Sequence, residues 1–336
     1  MAFPSFLAQE PAIRLTAFAG VLGVMAIWEV LAPRRRQRIG RARRWPGNLG
    51  VVVLDTVILR VIFPTAAVGM ALVAQTRGFG LFNVVEMPTA VAIISSVVLL
   101  DLAVYLQHVL FHAVPALWRL HRMHHADLEF DVTTGVRFHP LEILLSMLIK
   151  LCVVAALGAP ALAVLIFEVV LNATSMFSHG NVRLPAMVDR LMRFVVVTPE
   201  MHRVHHSVRA RETNSNFGFN LSWWDRWFGT YRAEPLEGHE GMTIGIEQFR
   251  DPRELRLDRM LVQPFRGDVG AYPLGRREAH DSITPAPGAG LQNRSFDAER
   301  EKTWMAGPCP PRTKQEAADR NRLEGENPSG GEPRSG

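Results

Sequence analysis

Long apolar segments fill the first half of the chain, and they constrain its fold more than any other feature. They cover residues 12–32, 50–76, 89–112 and 141–178. About 20 apolar residues in a helix span the hydrocarbon core of a bilayer, so the first three segments each suit one crossing. The fourth segment is too long for a single crossing. The sequence therefore predicts an all-α integral membrane protein.

The fourth apolar segment carries a break, Gly158-Ala159-Pro160, near its middle. Glycine commonly ends a helix and proline suits the first turn of the next, so we expect two helices joined as a hairpin. This makes four to five membrane-embedded helices. Lys150 and Glu168 each lie nine residues from Ala159. We predict that they lie at similar depth and interact; the alternative is that Lys150 reaches an interface and Glu168 faces another helix.

Basic residues are concentrated after the first apolar segment. The formal net charge of +5 suits anionic lipid or nucleic acid equally. Seven arginines follow the first segment: Arg34, Arg35, Arg36, Arg38, Arg41, Arg43 and Arg44. Because they adjoin apolar segments, we expect a membrane and no nucleic acid as their partner. The next loop carries only Arg77 and Glu86, so the positive-inside rule places the arginine-rich loop in the cytoplasm.

Composition divides the chain into four parts. Residues 1–47 are predicted to form an N-terminal membrane helix and a basic loop, without a cleaved signal peptide. Residues 48–235 carry the remaining apolar segments and most histidines, and 236–269 form a partly ordered extension. Residues 270–336 are rich in Pro, Gly, Arg and Glu and are predicted to be a mostly disordered tail, because such a segment buries too little apolar surface.

Histidines carry the strongest chemical signal. Eight of the twelve fall into three clusters: His108 and His112; His121, His124 and His125; and His202, His205 and His206. Residues three and four apart share one face of a helix, so each cluster presents imidazoles in one direction. Neutral imidazole is a good ligand for iron, zinc or copper. His179 ends the last apolar segment and is a candidate ninth ligand.

A metal site formed by these clusters is favoured over isolated structural histidines. A single histidine near a membrane surface is usually an interfacial or core residue, whereas two separate H-x-x-H-H strings are improbable by chance. Counting crossings forward from the arginine-rich loop places every cluster on the cytoplasmic side. The two cysteines, Cys152 and Cys309, predict neither a disulfide framework nor a cysteine metal site. We expect the nine histidines to converge.

Six motifs between Asn48 and Tyr231 resemble those of a known family. They are DLAVYLQHVLFH (101–112), LWRLHRMHH (117–125), RFHPLE (137–142), FSHGN (177–181), TPEMHRVHHS (198–207) and NFGFNLSWWDRWFGT (216–230). In combination, order and spacing they are similar to the fatty acid hydroxylase / sterol desaturase superfamily of membrane-bound di-iron enzymes. Some relatives have one more histidine, at the position of Ser175, so the resemblance is to a nine-histidine pattern.

The resemblance implies a cofactor and partners. It implies that His108, His112, His121, His124, His125, His179, His202, His205 and His206 hold two iron ions that activate dioxygen. It also implies a lipid substrate and electrons from a separate donor protein of ferredoxin, cytochrome b5 or reductase type. The protein would be a multi-pass integral membrane enzyme with its active site on the cytoplasmic side, in a bacterium at the plasma membrane.

Three residues near the clusters are candidates for orienting the ligands. Asp101 precedes His108 by two helical turns, and a carboxylate there could hold an imidazole through its second ring nitrogen. His139 precedes Pro140 and could be a further ligand, a hydrogen-bond donor to the ligands, or a helix cap; we favour the donor. Asn181 could bond a ligand or a metal-bound water, or serve as a turn residue.

The sequence thus predicts an enzyme that hydroxylates or desaturates a lipid C–H bond. Fatty acyl chains and sterols are both candidate substrates, and the oligomeric state is left open. One alternative is a zinc-dependent membrane hydrolase, although the chain has no H-E-x-x-H and nine histidines exceed the three protein ligands of a catalytic zinc. Another is a membrane metal-binding or haem protein without catalysis. Metal content would distinguish these three classes.

Overall fold

The computed structural model describes residues 9–274, which form fourteen α-helices and no strand. The helices are α1 (Glu10–Leu31), α2 (Arg41–Ile62), α3 (Ala66–Arg77), α4 (Leu81–Val84), α5 (Thr89–Ala113), α6 (Pro115–His125), α7 (Pro140–Leu157), α8 (Ala161–Ser178), α9 (Ala186–Met192), α10 (Pro199–His205), α11 (Ala210–Thr213), α12 (Trp223–Trp227), α13 (Gly238–Gly241) and α14 (Leu257–Val262). Short 3₁₀ turns cover Thr134–Val136, Pro252–Leu255 and Gln263–Phe265. The predicted all-α fold is confirmed.

Five stretches of the described chain are long and apolar enough to cross a membrane. They are Glu10–Leu31, Arg41–Val84, Thr89–Ala113, Pro140–Leu157 and Ala161–Ser178. The last two form the predicted hairpin. Gly158 ends α7 in the left-handed conformation, with a φ of 60°, and Pro160 precedes the first turn of α8. The protein is therefore a helical membrane protein.

The second apolar segment differs from the prediction in both its start and its continuity. α2 begins at Arg41, within the arginine-rich stretch, and Arg44 in its first turn is buried in ion pairs with Asp127 and Asp131. These partners lie more than 80 residues away, so the sequence pattern did not reveal them. The turn at Phe63–Thr65 then separates α2 from α3, as expected where Pro64 cannot continue the hydrogen-bond ladder.

The connecting loops lie at two opposite ends of the bundle. Near one end, Asn83 of α4 donates a hydrogen bond to the carbonyl of Gly158 at the hairpin turn, over 3.3 Å. A Cβ on Gly80 would lie 2.3 Å from the nitrogen of Gly158, so this contact requires glycine. At the other end, the Arg35 amide donates to Asn181 over 2.9 Å. The arginine-rich loop and the histidine-bearing segments therefore share one end, as the crossing count predicts.

The charged pair predicted within the hairpin is present. Lys150 Nζ of α7 lies 2.8 Å from Glu168 Oε1 of α8. Arg14 of α1 contacts the other carboxylate oxygen of Glu168, and Glu10 contacts Arg14. The prediction of pairing is confirmed, and the structure adds a second cation. Two cations from different helices thus surround one buried carboxylate among apolar helices.

The segment after α13 packs back onto the histidine-bearing end. Met260 of α14 packs with Val51 of α2 and Met123 of α6. The first residues of the predicted tail, 270–274, are described, and Tyr272 is buried with its ring 5.3 Å from that of Trp118. The remainder of that tail lies outside the described residues.

Candidate metal centre

Nine histidines converge at one end of the bundle, and each is at most 3% exposed. They form two groups, within each of which the ligand atoms lie within 4.8 Å of one another. The five-histidine group contains His108, His112, His121, His125 and His205, and the four-histidine group contains His124, His179, His202 and His206. Neither group comes from one segment, because α5, α6, the end of α8 and α10 all contribute. The predicted convergence is confirmed.

Local sequence determines how each helix presents its histidines. His108 and His112 are four residues apart on α5, so they share a face. α10 begins at Pro199, and the Thr198 side chain accepts a hydrogen bond from the Met201 amide over 3.3 Å. This cap starts the short helix close to its first histidine, so that its imidazoles point into the bundle.

The outer ring nitrogens of six histidines are held by acceptors from the protein. The Nδ1 atoms donate as follows: His108 to Phe217 O (2.7 Å), His112 to Asn214 Oδ1 (3.0 Å), His121 to Glu142 Oε1 (2.6 Å), His124 to Arg137 O (3.1 Å), His179 to Ser175 O (2.7 Å) and His205 to Ser215 O (2.8 Å). A proton on Nδ1 leaves the Nε2 lone pair of a neutral ring free to bind a metal.

The inner ring nitrogens, the Nε2 atoms, face one another at close range. Nε2 of His179 lies 3.2 Å from that of His124 and 3.1 Å from those of His202 and His206. Nitrogen ligands about 2.0–2.1 Å from a common ion are about 3 Å apart. Nε2 of His112 and His205 are buried and have no hydrogen-bond partner. The donor set therefore fits metal ions.

Seven of the nine histidines lie outside the apolar spans, and burial keeps their imidazoles neutral, which is the form that binds a metal. It lowers the pKa of His121 and of His179 to about 3. Burial, followed by the charges of neighbouring histidines, lowers the pKa well below its ordinary value in His124, His125, His202, His205 and His206. Protons therefore do not compete with a metal for these nitrogens near neutral pH.

The prediction that Asp101 orients an imidazole differs from what the structure shows. Its carboxylate accepts hydrogen bonds from the Asn220 and Leu221 amides, at 3.3 and 3.1 Å, and from Trp224 Nε1 at 2.8 Å. The loop that contains these donors also supplies the Phe217 carbonyl bound by His108. Asp101 thus supports a ligand through that loop and not through a ring nitrogen.

His139 and Asn181 also act away from the ligands. His139 belongs to neither histidine group; its Nδ1 accepts from the Leu141 amide over 3.2 Å and so caps α7. This is the cap alternative and not the favoured donor. Asn181 bonds both the amide and the carbonyl of Arg35, which anchors the arginine-rich loop. These contacts agree with the alternative of a structural residue.

The most important residue that the sequence analysis missed is Glu142. It stands in the first turn of α7, is buried and accepts from His121. Its position at the end of RFHPLE, a carboxylate opening an apolar helix, was a usable signal. Asn214 and the carbonyl acceptors gave no such signal, because any residue has a backbone carbonyl.

The protein is thus a helical membrane protein in which nine buried histidines form two groups that could each hold a metal ion. Residues 93–230 match the model of the family described as fatty acid hydroxylase. This part of the chain is therefore similar to that family, as the motifs predict.

Curated relatives agree with this family. Over 150 residues the chain is 31% identical to the ornithine lipid hydroxylase OlsE of Rhizobium tropici. The matched region covers 45% of this chain and 44% of the relative. It is 25% identical over 165 residues to an alkylglycerol monooxygenase of Xenopus tropicalis (48% and 35%), and 30% identical over 139 residues to a cholesterol 25-hydroxylase of Rattus norvegicus (41% and 45%). The chain thus spans less than half of each relative. No solved structure gives a significant match.

Proposed function

We propose that this protein is a di-iron oxidoreductase that uses dioxygen and external electrons to hydroxylate a membrane lipid. The observation that carries the proposal is the division of nine buried histidines into a group of five and a group of four. Each group would hold one iron ion. The family of residues 93–230 supports the assignment.

Iron is favoured over zinc by the number of ligands. A catalytic zinc ion commonly has three protein ligands in one site, whereas here two adjacent groups offer five and four imidazoles. Imidazole suits iron well. When bound, a pair of iron ions supplies the redox chemistry by which dioxygen oxidises an unactivated C–H bond. The nine histidines are the proposed ligands.

The protein's own groups would fix geometry and exclude water. Glu142, Asn214 and four backbone carbonyls hold the outer nitrogens, so the six imidazoles they contact cannot rotate freely. Phe130 lies 5.4 Å from His179 and 5.1 Å from His206, and it closes the four-histidine group on one side. Phe217 covers His112 of the other group at 5.0 Å. These buried rings keep bulk water from the centre.

Two partly exposed phenylalanines mark the side from which the lipid would approach. Phe138 stacks on His124 at 4.5 Å and lies 6.3 Å from His121. Phe219 lies 5.3 Å from His108 and 6.4 Å from His202. Each ring therefore contacts one histidine of each group. A lipid carbon placed between the two rings would face both proposed iron sites.

The class of substrate and the reaction follow from the relatives' names. These name ornithine lipid, alkylglycerol and cholesterol, and all three relatives are called hydroxylases or monooxygenases. A membrane lipid and hydroxylation are therefore favoured, and desaturation is the second candidate outcome. One oxygen atom would enter the lipid and the other would leave as water, with electrons from a separate donor of ferredoxin, cytochrome b5 or reductase type.

The centre is proposed to face the cytoplasm because seven arginines flank the same end of the bundle. A reporter fused after Tyr231 should then read cytoplasmic, and a reporter inserted near Phe82 should read external. The reverse readings would overturn the orientation while leaving the enzymatic proposal intact.

The reaction can be tested by expressing the chain with iron and a reductase system and comparing total lipids by mass spectrometry. We expect a lipid that gains one oxygen atom. The inactive control is His121→Ala with His124→Ala, which removes one ligand from each group. The matched control is His139→Asn, a buried histidine outside both groups replaced by another good helix cap.

Iron content measured on the same preparations separates the alternatives. Two iron ions per chain without haem absorbance support the proposal. Zinc as the only metal would favour a hydrolase. Bound iron with no change in any lipid under reducing conditions would favour a metal-binding protein without catalysis.

A further inference from the structure

A patch of large apolar side chains is exposed outside the five candidate spans. Met187 is 65% exposed, Leu191 60%, Phe194 62%, Trp227 69% and Phe228 54%. Contiguous apolar surface of this kind is rare on a protein face that meets water and marks a site of interaction. The residues belong to two segments, 186–196 and 217–228.

Hydrogen bonds join the two segments into one surface. Trp223 Nε1 donates to the carbonyl of Phe194 over 2.9 Å. The Ser222 amide donates to the carbonyl of Val195 over 3.1 Å. The apolar side chains are therefore held together by fixed backbone, and they do not come from two independent loops.

This surface lies beside the middle of a membrane-spanning helix. Phe228 stacks on Tyr105 of α5 with ring centroids 5.4 Å apart, and Trp224 bonds Asp101 one turn further along α5. Val98 packs against the hydrophobic cluster formed by Tyr105, Phe217 and Trp224. Segment 217–228 thus contacts α5 between Tyr105 and Asp101, away from the histidine-bearing end at Ala113, and segment 186–196 is joined to it by the two hydrogen bonds.

The length of α5 allows the depth of this contact within the bilayer to be estimated. Its 25 residues extend about 37 Å, against about 30 Å for the hydrocarbon core, so about 7 Å lies outside. Asp101 is twelve residues (113 − 101) from Ala113, or about 18 Å. Even if all the excess length lay at the histidine end, Asp101 would be about 11 Å inside the hydrocarbon.

We propose that segments 186–196 and 217–228 form an insertion surface that is embedded in one leaflet of the bilayer and contacts lipid acyl chains. Its partner is the membrane itself. The inference rests on depth and exposure alone and does not depend on the chemistry proposed for the histidines.

The polar contacts of Asp101 agree with this placement. Non-helical backbone at membrane depth is tolerated only where its polar groups are satisfied inside the protein. Asp101 accepts from the Asn220 and Leu221 amides, and the Val197 amide donates to the Asn220 carbonyl over 3.0 Å. A carboxylate within an apolar helix, otherwise costly, therefore supplies the acceptors that the immersed loop needs.

Arginines at the edge of the surface suit a lipid headgroup region. Arg190 of α9 is exposed, and the Arg226 guanidinium lies 5.8 Å from the ring of Phe194 and 4.3 Å from that of Tyr231. Long basic side chains can extend from an apolar surface to phosphate while their stems stay in hydrocarbon. Their charge complements anionic lipid.

The test measures collision of nitroxide labels with oxygen and with a water-soluble nickel chelate, in lipid nanodiscs of stated composition. Single cysteines replace Leu191, Phe194 and Trp227 in a full-length chain carrying Cys152→Ser and Cys309→Ser. The matched control is Arg256→Cys, at a residue 72% exposed on its side chain. We expect the three labels to collide preferentially with oxygen, and the control label with the nickel chelate.

Two outcomes would overturn the insertion surface. Nickel accessibility at Leu191, Phe194 and Trp227 equal to that of Arg256→Cys would place the patch in water. Shielding from both reagents, with dipolar broadening that disappears on dilution, would show a second protein copy as its partner. If a substitution of an aromatic residue prevents folding, Met187→Cys tests the same surface with a small, flexible side chain.

Discussion

Glu142 Oε1 accepts a hydrogen bond from His121 Nδ1 over 2.6 Å, and both side chains are buried. The bond joins α6, which carries three of the nine histidines, to the first turn of α7. A carboxylate in this position fixes the orientation of an imidazole and raises its basicity toward a metal. Glu142 is therefore a positioning residue for the five-histidine group.

Glu142→Gln should weaken metal retention without removing a ligand. The amide keeps an acceptor oxygen but loses the charge, and loss of such partners lowers metal affinity by about 10–100-fold. Iron retained after dialysis against a graded chelator series measures the effect. Glu86→Gln, at an exposed carboxylate outside the centre, is the control and should match the wild type. Equal retention in both variants would contradict the assignment.

The two histidine groups should lose metal separately. His206→Ala leaves three imidazoles in the four-histidine group, whereas His205→Ala leaves four in the other. We expect about one iron ion per chain in purified His206→Ala protein and a value nearer two in His205→Ala. Inductively coupled plasma mass spectrometry measures the iron content. Loss of all iron in either variant would show that the ions bind only together.

Asp131 should stabilise the fold in a pH-dependent way. Burial raises the pKa of this carboxyl, but the charge of Arg44 together with hydrogen bonds from Thr133 and Gln37 leaves the pKa below its ordinary 3.8. A lowered folded pKa means that the contribution is fully present above the unfolded pKa and is lost as pH falls through the folded one. Asp131→Asn should therefore destabilise the metal-free protein by about 3–5 kcal/mol at pH 7 and by less below about pH 4.

Unfolding in detergent at a series of pH values measures this difference. Asp251→Asn is the control, because the ion pair of Asp251 with Arg253 is exposed and screened by solvent, so its loss should leave the stability almost unchanged. A difference between the wild type and Asp131→Asn that does not change with pH would contradict the prediction.

The cations around Glu168 should compensate for each other. Lys150→Met and Arg14→Met each leave one cation on the carboxylate, so each should lower the folded yield only modestly. Together they leave a buried charge unpaired, and the yield should fall by more than the sum of the single effects. Fluorescence-detected size-exclusion chromatography measures the yield, with Arg60→Met as the control for loss of an exposed cation in α2.

The same contacts change the result expected of a charge swap. Lys150→Glu with Glu168→Lys would restore the hairpin pair but would place a lysine beside Arg14. We therefore expect only partial recovery of folded yield, and full recovery would show that Arg14 does not contact residue 168.

Patterns within one segment predicted much of this protein. The Gly158–Pro160 break predicted the hairpin, and the spacing of His121, His124 and His125 predicted a shared face. Both depend on the geometry of a single helix, which the residues along it encode directly. The convergence of distant clusters followed because neither could fill two metal sites alone.

Roles that depend on long-range contacts could not be predicted in this way. Asp101 stands two turns from His108, which suggested a direct contact, yet its partners come from a loop more than a hundred residues later. The start of α2 was missed for the same reason, because the charge of Arg44 is compensated only by Asp127 and Asp131. Sequence spacing reveals which side chains share a face but not which loop will cover that face.

The scattering of the ligands along the chain has a consequence for biogenesis. A nascent chain that has emerged only as far as Thr198 contains all five candidate spans but lacks His205 of one group and His202 and His206 of the other. The acceptors at Ser215 and Phe217 arrive later still. Both proposed ligand groups are therefore complete only after the last candidate span has been synthesised and the whole histidine-bearing region has been translated.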